Sequence, residues 1–268
     1  MVAETKRDTS MAMGRTLGRR VVVRSAAAAG AALLAGRLPV RAEEGAPHWT
    51  YAGEEGPEFW GELSPEWAAC DAGKEQSPVN LLDAAAGDEP EMTIAQASTA
   101  GGTLVNNGHT LQVNLPAGNT LALGDEVYEL LQFHFHTPAE HLVDGVLFPL
   151  ELHLVHKSAD GKLAVLGVLM KEGEESAALA EMFTDIPAAG AERELANAID
   201  VAALVPSDLT AYRYPGSLTT PPCAEGVTWT VFDMPMTVSP EQLAAFRAIY
   251  PMNARPVQPL NEREVEEA

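Results

Sequence analysis

Between Gln132 and His156 the chain places five of its seven histidines in two short segments, QFHFHTPAEH and LELHLVH. No other stretch restricts the possible folds as much. Successive side chains of a strand point to opposite faces, so Gln132, His134 and His136 share one face and Phe133 and Phe135 take the other. In the second segment Glu151, His153 and Val155 lie on one face, with Leu152, Leu154 and His156 on the opposite one. The intervening LVDGVLFP carries an Asp-Gly turn signal that predicts a hairpin-like return. If the two strands pair, His134, His136 and His153 converge on one point. A single strand histidine is ordinarily a core or surface residue with its ring nitrogens satisfied. Two imidazoles side by side repel when protonated and need a reason to coexist. Three neutral imidazoles with one open position make the arrangement of a catalytic zinc, whose fourth ligand is water. Such ligands need their second ring nitrogen fixed, and Gln132 and Glu151 stand on the same face, each two residues before a histidine.

The first 42 residues differ from the rest. They carry eight Lys and Arg against two acids, and include the apolar run SAAAAGAALLAG and then Val40-Arg41-Ala42. A basic start, a short apolar run and a small residue at the cut predict a removable export signal over residues 1–42; the other reading is a disordered basic tail. The run, about 12 residues, falls short of the roughly 20 needed to span a bilayer. Arg19-Arg20 ahead of it points to the twin-arginine route, which carries folded cargo. The destination is then the bacterial periplasm or the medium, with the thylakoid lumen as the alternative. Residues 43–268 keep nine Lys and Arg (17 less 8) against 36 acids (38 less 2), a net charge of −27. Such an acidic surface disfavours nucleic acid and anionic membrane as partners. The length suits one sizeable core, and no repeat or linker divides it. Cys70 and Cys223 are the only cysteines; in an exported chain an isolated pair favours a disulfide.

Residues 48–80, rich in aromatics, Gly and Pro, read as an irregular segment anchored by Trp49, Tyr51, Phe59, Trp60 and Trp67. Residues 92–131 alternate apolar and polar in short runs, which predicts strands and turns. KLAVLGVLM, residues 162–170, has the length of a buried strand, and residues 174–183 and 191–199 are expected to be short helices. Ser239-Pro240-Glu241-Gln242 opens another helix with a capping box, and Leu243, Phe246 and Tyr250 give it an apolar stripe. The balance is mostly β with peripheral helices.

HWTY, QSPVNL, NNGH, QFHFH-x-PAEH, ELHLVH, SLTTPP and the closing Arg-Pro-x-Gln-Pro-Leu occur in this order between about Trp49 and Arg263. In these motifs the chain resembles the α-class carbonic anhydrases, the exported bacterial and algal ones above all. The resemblance implies a single domain, residues 43–268, built on a large, mainly antiparallel twisted sheet with the metal at the base of a conical cleft. It implies reversible hydration of carbon dioxide to bicarbonate and a proton by zinc-bound hydroxide, one Zn2+ per chain, and sulfonamides and anions as inhibitors. It makes His134, His136 and His153 the zinc ligands, steadied by Gln132 and Glu151. Thr219 would accept a hydrogen bond from the hydroxide and donate one to Glu140, with Thr220 beside it in the cleft. His109 would be the proton shuttle, with Tyr51, Asn107 and Gln112 holding the water chain. Val155, Val165, Leu218, Val227 and Trp229 would form the apolar wall that receives carbon dioxide. Asn253 and Arg255 match structural positions, and Cys70–Cys223 matches the disulfide of exported members. His141 and His156 are expected to be structural, and His48 an ordinary surface residue. Two positions depart from the family pattern: Thr137 stands where animal members commonly have Trp, and Gln112 where Asn is frequent.

A rival from the residues alone is a cupin. His134-x-His136-xxx-Glu140 with Gly145 downstream satisfies the first cupin metal motif, which would make Glu140 a fourth ligand and favour iron or manganese. The second cupin motif ends in histidine, and no histidine follows His156. A non-catalytic relative would keep the fold and lose ligands, whereas all three are present. A structural zinc would need a fourth protein ligand. The number of subunits is not set by the sequence.

Overall fold

The computed structural model describes residues 47–82, 84–87, 92–95 and 101–267. The predicted export signal lies outside the described residues. Among those described, no helix is long and apolar enough to cross a membrane.

Six strands carry the middle of the fold: β1 (Leu111–Asn114), β2 (Glu126–His136), β3 (Leu150–Ser158), β4 (Leu163–Glu172), β5 (Ala211–Ser217) and β6 (Glu225–Val238). They lie in the order β1-β2-β3-β4-β6-β5 within a mixed sheet of twelve strands among the described residues. All the neighbouring pairs in this run are antiparallel except β4 and β6, which run parallel. Phe133, Phe135, Leu152, Leu154, Leu166 and Val168 point into one core, where they pack with Phe183 and Phe246. Val165, Val227, Trp229, Val231 and Tyr214 form a second core on the other side. Cores on both faces explain why KLAVLGVLM reads as a continuous apolar run rather than an alternating one. A Phe or Leu fully buried here contributes about 1.5–3 kcal/mol.

The β2–β3 register bears out the alternation argument. His153 lies opposite His134, Glu151 opposite His136, and Val155 opposite Gln132. A bulge between Val155 and His156 follows. The Asp-Gly signal does make a hairpin, but not the β2–β3 return. Asp144 and Gly145, with φ of 49° and 76°, join the two-residue strands Leu142–Val143 and Val146–Leu147. That hairpin pairs with Asn80–Leu81 in a small separate sheet. Both turn residues take the left-handed conformation that a tight hairpin needs and that Asp and Gly tolerate.

Two helix expectations fail. In 191–199 the segment Glu192–Glu194 is a strand paired antiparallel with Thr103–Val105. The Arg193 side chain ties it down through the carbonyls of Glu181, Thr184 and Asp185. In 174–183 only a single 3-10 turn forms, Ala177–Leu179, because Gln242 holds both the N–H and the C=O of Ser176. Helix α1 (Pro240–Arg247) has the predicted capping box, with Leu243 and Phe246 buried.

Residues 48–80 hold short helical turns between irregular stretches. Trp60 is fully buried, and its indole N–H is shared by the carbonyls of Thr50 (3.0 Å) and Glu55 (3.1 Å). Trp67 packs beside the Cys70–Cys223 disulfide, whereas Phe59 is exposed and anchors nothing. The Arg255 guanidinium sits over Trp60 and donates to the carbonyls of Cys70 and Ser77.

Candidate metal centre

Strands β2 and β3 bring His134, His136 and His153 together with ring centroids 4.6–5.3 Å apart. One nitrogen from each falls within 4.8 Å of the others, a group of three that can hold a metal ion. The remaining nitrogens are tied. His134 Nδ1 lies 2.9 Å from Gln132 Oε1, and His153 Nε2 lies 2.8 Å from Glu151 Oε1. His136 Nδ1 donates to the carbonyl of Asn253 at 2.8 Å. The pooled nitrogens are therefore His134 Nε2, His136 Nε2 and His153 Nδ1. His136 Nε2 is buried without a hydrogen-bond partner, a costly state for a polar atom unless something binds it. Burial lowers the pKa of all three rings, that of His136 to about 4. They are neutral at pH 7, the form a metal ligand needs.

Glu151 is the most heavily bonded group of the site. Its Oε1 takes His153 and also His141 Nδ1 at 2.7 Å; its Oε2 accepts the backbone N–H groups of Glu140 and His141. Burial alone would push this carboxyl up, but the adjacent His141 and His153 hold it well below the usual range. His141 is fully buried and its Nε2 lies 2.6 Å from the Tyr214 hydroxyl, the structural role expected of it. His156 is also buried, on the other face, with Nδ1 on the Leu154 carbonyl.

Glu140 stands beside the cluster rather than in it. Its Oε1 accepts the Arg255 backbone N–H at 2.8 Å, and its Oε2 lies 3.9 Å from His153 Nδ1 with no hydrogen-bond partner. Burial raises its pKa to about 7 against the opposing pull of His153, the Arg255 N–H and the Thr219 hydroxyl. Thr219 thus acts on the carboxyl without a hydrogen bond of ordinary geometry to Oε2. Thr219 is buried just beyond β5, and Thr220 is half-buried after it.

Val165, Val227 and Trp229 form one buried apolar group, with Val155 and Leu218 packed against it. Trp229 meets the His153 ring at 4.8 Å, so this wall adjoins the metal cluster. On the opposite flank Gln112 pairs with His134 across β1 and β2. Asn107 Nδ2 reaches Gln112 Oε1 at 3.5 Å, and Asn107 Oδ1 accepts the N–H groups of His109 and Thr110. The His109 ring lies flat on the Trp49 indole, 3.7 Å between centroids and 4° between planes. Burial, then His48, lowers its pKa. Tyr51 packs edge-on to Trp49 and Trp60, and burial raises its phenol well above the ordinary value.

Asn253 is the functional residue that strand parity missed. Beyond its carbonyl on His136, its side chain accepts the Thr137 N–H and donates to the carbonyls of Phe135 and His109. Thr137, at a position that departs from the family pattern, gives its hydroxyl to the Pro149 carbonyl and accepts Arg247 Nε–H.

Three imidazoles held by fixed partners beside an apolar wall are a site of the kind that holds a catalytic metal. Residues 55–268 match the family model of eukaryotic-type carbonic anhydrases. A carbonic anhydrase of Pectobacterium carotovorum is 45% identical over 219 residues, covering 81% of this chain and 89% of the relative. The fold superposes on the α-carbonic anhydrase of Thermovibrio ammonificans in complex with sulfanilamide, with a TM-score of 0.80 and 43% identity over 83% of this chain and 100% of that one. A carbonic anhydrase of Chlamydomonas reinhardtii in complex with acetazolamide gives a TM-score of 0.73 at 38% identity, covering 82% and 99%. The chain belongs to the α-class carbonic anhydrases and is an enzyme of that activity. The cupin reading falls with this assignment.

Proposed function

We propose that residues 43–268 form an exported zinc enzyme that hydrates carbon dioxide to bicarbonate and a proton, with residues 1–42 as its removable twin-arginine-like signal. His134, His136 and His153 would hold one Zn2+, and sulfonamides and anions would inhibit it there. The single observation that carries this reading is the pooling of three neutral ring nitrogens whose partner nitrogens are each tied off. When bound, zinc lowers the pKa of a coordinated water from 15.7 to about 7 and so supplies hydroxide at neutral pH.

The residues around it do the rest. A divalent cation on the histidines favours the ionised form of Glu140, offsetting its burial. Ionised Glu140 accepts a hydrogen bond from the Thr219 hydroxyl, whose one proton is thereby committed; the threonine oxygen can then only accept and so orients a nucleophile that carries one hydrogen. Val155, Val165, Leu218, Val227 and Trp229 exclude water from the place where a small apolar substrate must wait. Thr220 lies at the edge of that place. Tyr51, with its raised pKa, stays a neutral hydroxyl and, with Asn107 and Gln112, offers water both donors and acceptors. His109 accepts the released proton through that water, since an imidazole changes charge near neutral pH. Zinc content measured together with carbon dioxide hydration, with and without acetazolamide, tests the reading. About one zinc per chain and activity lost to acetazolamide or chelation are expected; full activity without metal would refute it.

A further inference from the structure

The β2–β3 ladder ends at residues the metal centre depends on. Its last pair sets His136 opposite Glu151. His136 is one of the three pooled histidines, and Glu151 holds both His153 and His141. Proline stops the ladder on both strands: Pro138 stands two residues after His136 and Pro149 two residues before Glu151. A proline has no N–H with which to extend the pairing. The end of a ladder opens more readily than its middle, and an opening here would move His136 and Glu151 first.

A ring of three hydrogen bonds takes over where the backbone pairing stops. Thr137 Oγ1 donates to the Pro149 carbonyl at 2.9 Å, Arg247 Nε–H donates to Thr137 Oγ1 at 3.1 Å, and Arg247 Nη2 donates to the same Pro149 carbonyl at 3.3 Å. Thr137 follows the end of β2, Pro149 precedes the start of β3, and helix α1 supplies the arginine. Thr137 is fully buried while Arg247 is exposed, so the guanidinium closes the ring from the surface. Phe246, the residue before it, seats the helix on β2 by meeting Phe135 with ring centroids 5.9 Å apart. The chain carries 38 Asp and Glu, yet no carboxylate pairs with Arg247 among the described residues. Its planar fork is committed to a hydroxyl and a carbonyl instead. The Thr137 backbone is occupied separately, with its N–H on Asn253 Oδ1 at 2.7 Å and its carbonyl on the Asn253 N–H at 2.9 Å. The ring therefore needs the hydroxyl, which donates once and accepts once; an indole at this position, a donor only, could not accept from Arg247.

We propose that Arg247 is a positioning residue of the metal centre, acting through Thr137 and Pro149 to keep the terminal His136–Glu151 pair closed. It touches none of the three histidines and no reacting atom. Through Thr137 it fixes the backbone next to His136, and through Pro149 the start of the strand that carries Glu151 and His153. The inference rests on the reading of the three histidines as the zinc site. Without Arg247 the histidines keep their places, but the end pair opens more often, so the effect falls on how long a metal stays.

The test follows zinc release into a chelator from the loaded enzyme for wild type, Arg247→Met, Thr137→Val, Thr137→Ser and the double variant Arg247→Met with Thr137→Val. The visible spectrum of the Co2+-substituted protein is taken on the same preparations. Direct partners of metal ligands are worth about 10–100-fold in affinity and Arg247 stands one step further out, so Arg247→Met is expected to release zinc about three- to tenfold faster. Thr137→Val should release it at least as fast, and the double variant no faster than Thr137→Val, because both belong to one ring. Thr137→Ser keeps the hydroxyl and should stay near wild type. The Co2+ bands should change in Arg247→Met and not in Thr137→Ser. Wild-type release from Arg247→Met overturns the inference while the zinc reading stands. Equally fast release from Thr137→Ser and Thr137→Val overturns it as well, since packing rather than the hydroxyl would then matter. So do factors that multiply in the double variant, which would mean that the two residues act apart. Wild-type protein that takes up no zinc would refute the metal reading itself, and this inference with it. Arg247 is exposed, so its replacement by Met disturbs no core packing.

Discussion

Replacing Glu140 by Gln changes one atom type and tests the orientation of the whole site. The Arg255 backbone N–H donates to Glu140 Oε1 at 2.8 Å, and this partner does not move. In Glu140→Gln the amide must keep its oxygen on that N–H, which sends its NH2 to the position of Oε2. That position lies on the side of His153 and within the influence of Thr219. The NH2 then donates to the threonine oxygen, and the threonine proton swings toward the nucleophile instead of away from it. Losing one preorganised contact of this kind costs about 10²–10³ in rate, roughly 3–4 kcal/mol. The three histidines and their partners are untouched, so zinc content should stay near one per chain and the melting temperature close to wild type. Thr219→Ala should cost a similar factor, and the double variant little more, since residues acting as a unit are non-additive. Zinc content and kcat/KM on the same preparations are the assay. Loss of metal from Glu140→Gln, with Thr219→Ala fully active, would refute the reasoning.

Reducing Cys70–Cys223, which closes 153 residues, should lower the melting temperature without removing zinc; a loop of that size is worth about 4–5 kcal/mol in the chain-entropy model, and two freely titrating thiols in exported protein would exclude the bridge. Burial holds the His156 pKa at about 4, below its unfolded value near 6.5, so the unfolded chain binds the extra proton between these values and stability falls as pH drops through that window. Urea denaturation of apoprotein should show wild type losing about 3 kcal/mol more than His156→Gln between pH 6.5 and 4, and parallel pH profiles would count against it. In Gly216→Ala the new Cβ would collide with Ser77 Oγ and sit 2.8 Å from Trp229 Cδ1; a loss of about 1–3 kcal/mol and a lower kcat/KM through the displaced indole are expected, and unchanged denaturation would show the contact to be soft.

What the sequence revealed follows from how local each signal is. The alternation of Phe with His in β2 and of Leu with Glu and His in β3 has the period of a strand, and so it exposed the face of the candidate metal site, its three histidines and two of their partners. The Asp-Gly pair announced a tight hairpin correctly, but nothing local says which strands the hairpin joins. AERELANAI has the composition of a helix, yet Glu192–Glu194 is claimed by Thr103–Val105, about 90 residues away, and by the Arg193 anchor on the carbonyls of Glu181, Thr184 and Asp185. Pairing at that distance outweighs a propensity of a few tenths of a kcal/mol per residue. The Asn253 bond to His136 spans 117 residues, and only the closing NARPVQPL motif hinted at that segment. Likewise the flat stack of Trp49 on His109 joins residues 60 apart that no periodicity connects.

That Asn253 bond has a consequence for synthesis. The ribosome makes His134, His136 and His153 well before it reaches Asn253. Until then the His136 ring has no carbonyl to set its tautomer, and the turn that carries His109 lacks its Asn253 strut. A nascent chain therefore displays three histidines but not yet the finished cup. If these histidines hold the proposed metal, its tight capture would wait for nearly the whole polypeptide to be made and for its last stretch to dock, and a loaded centre would certify a completed chain.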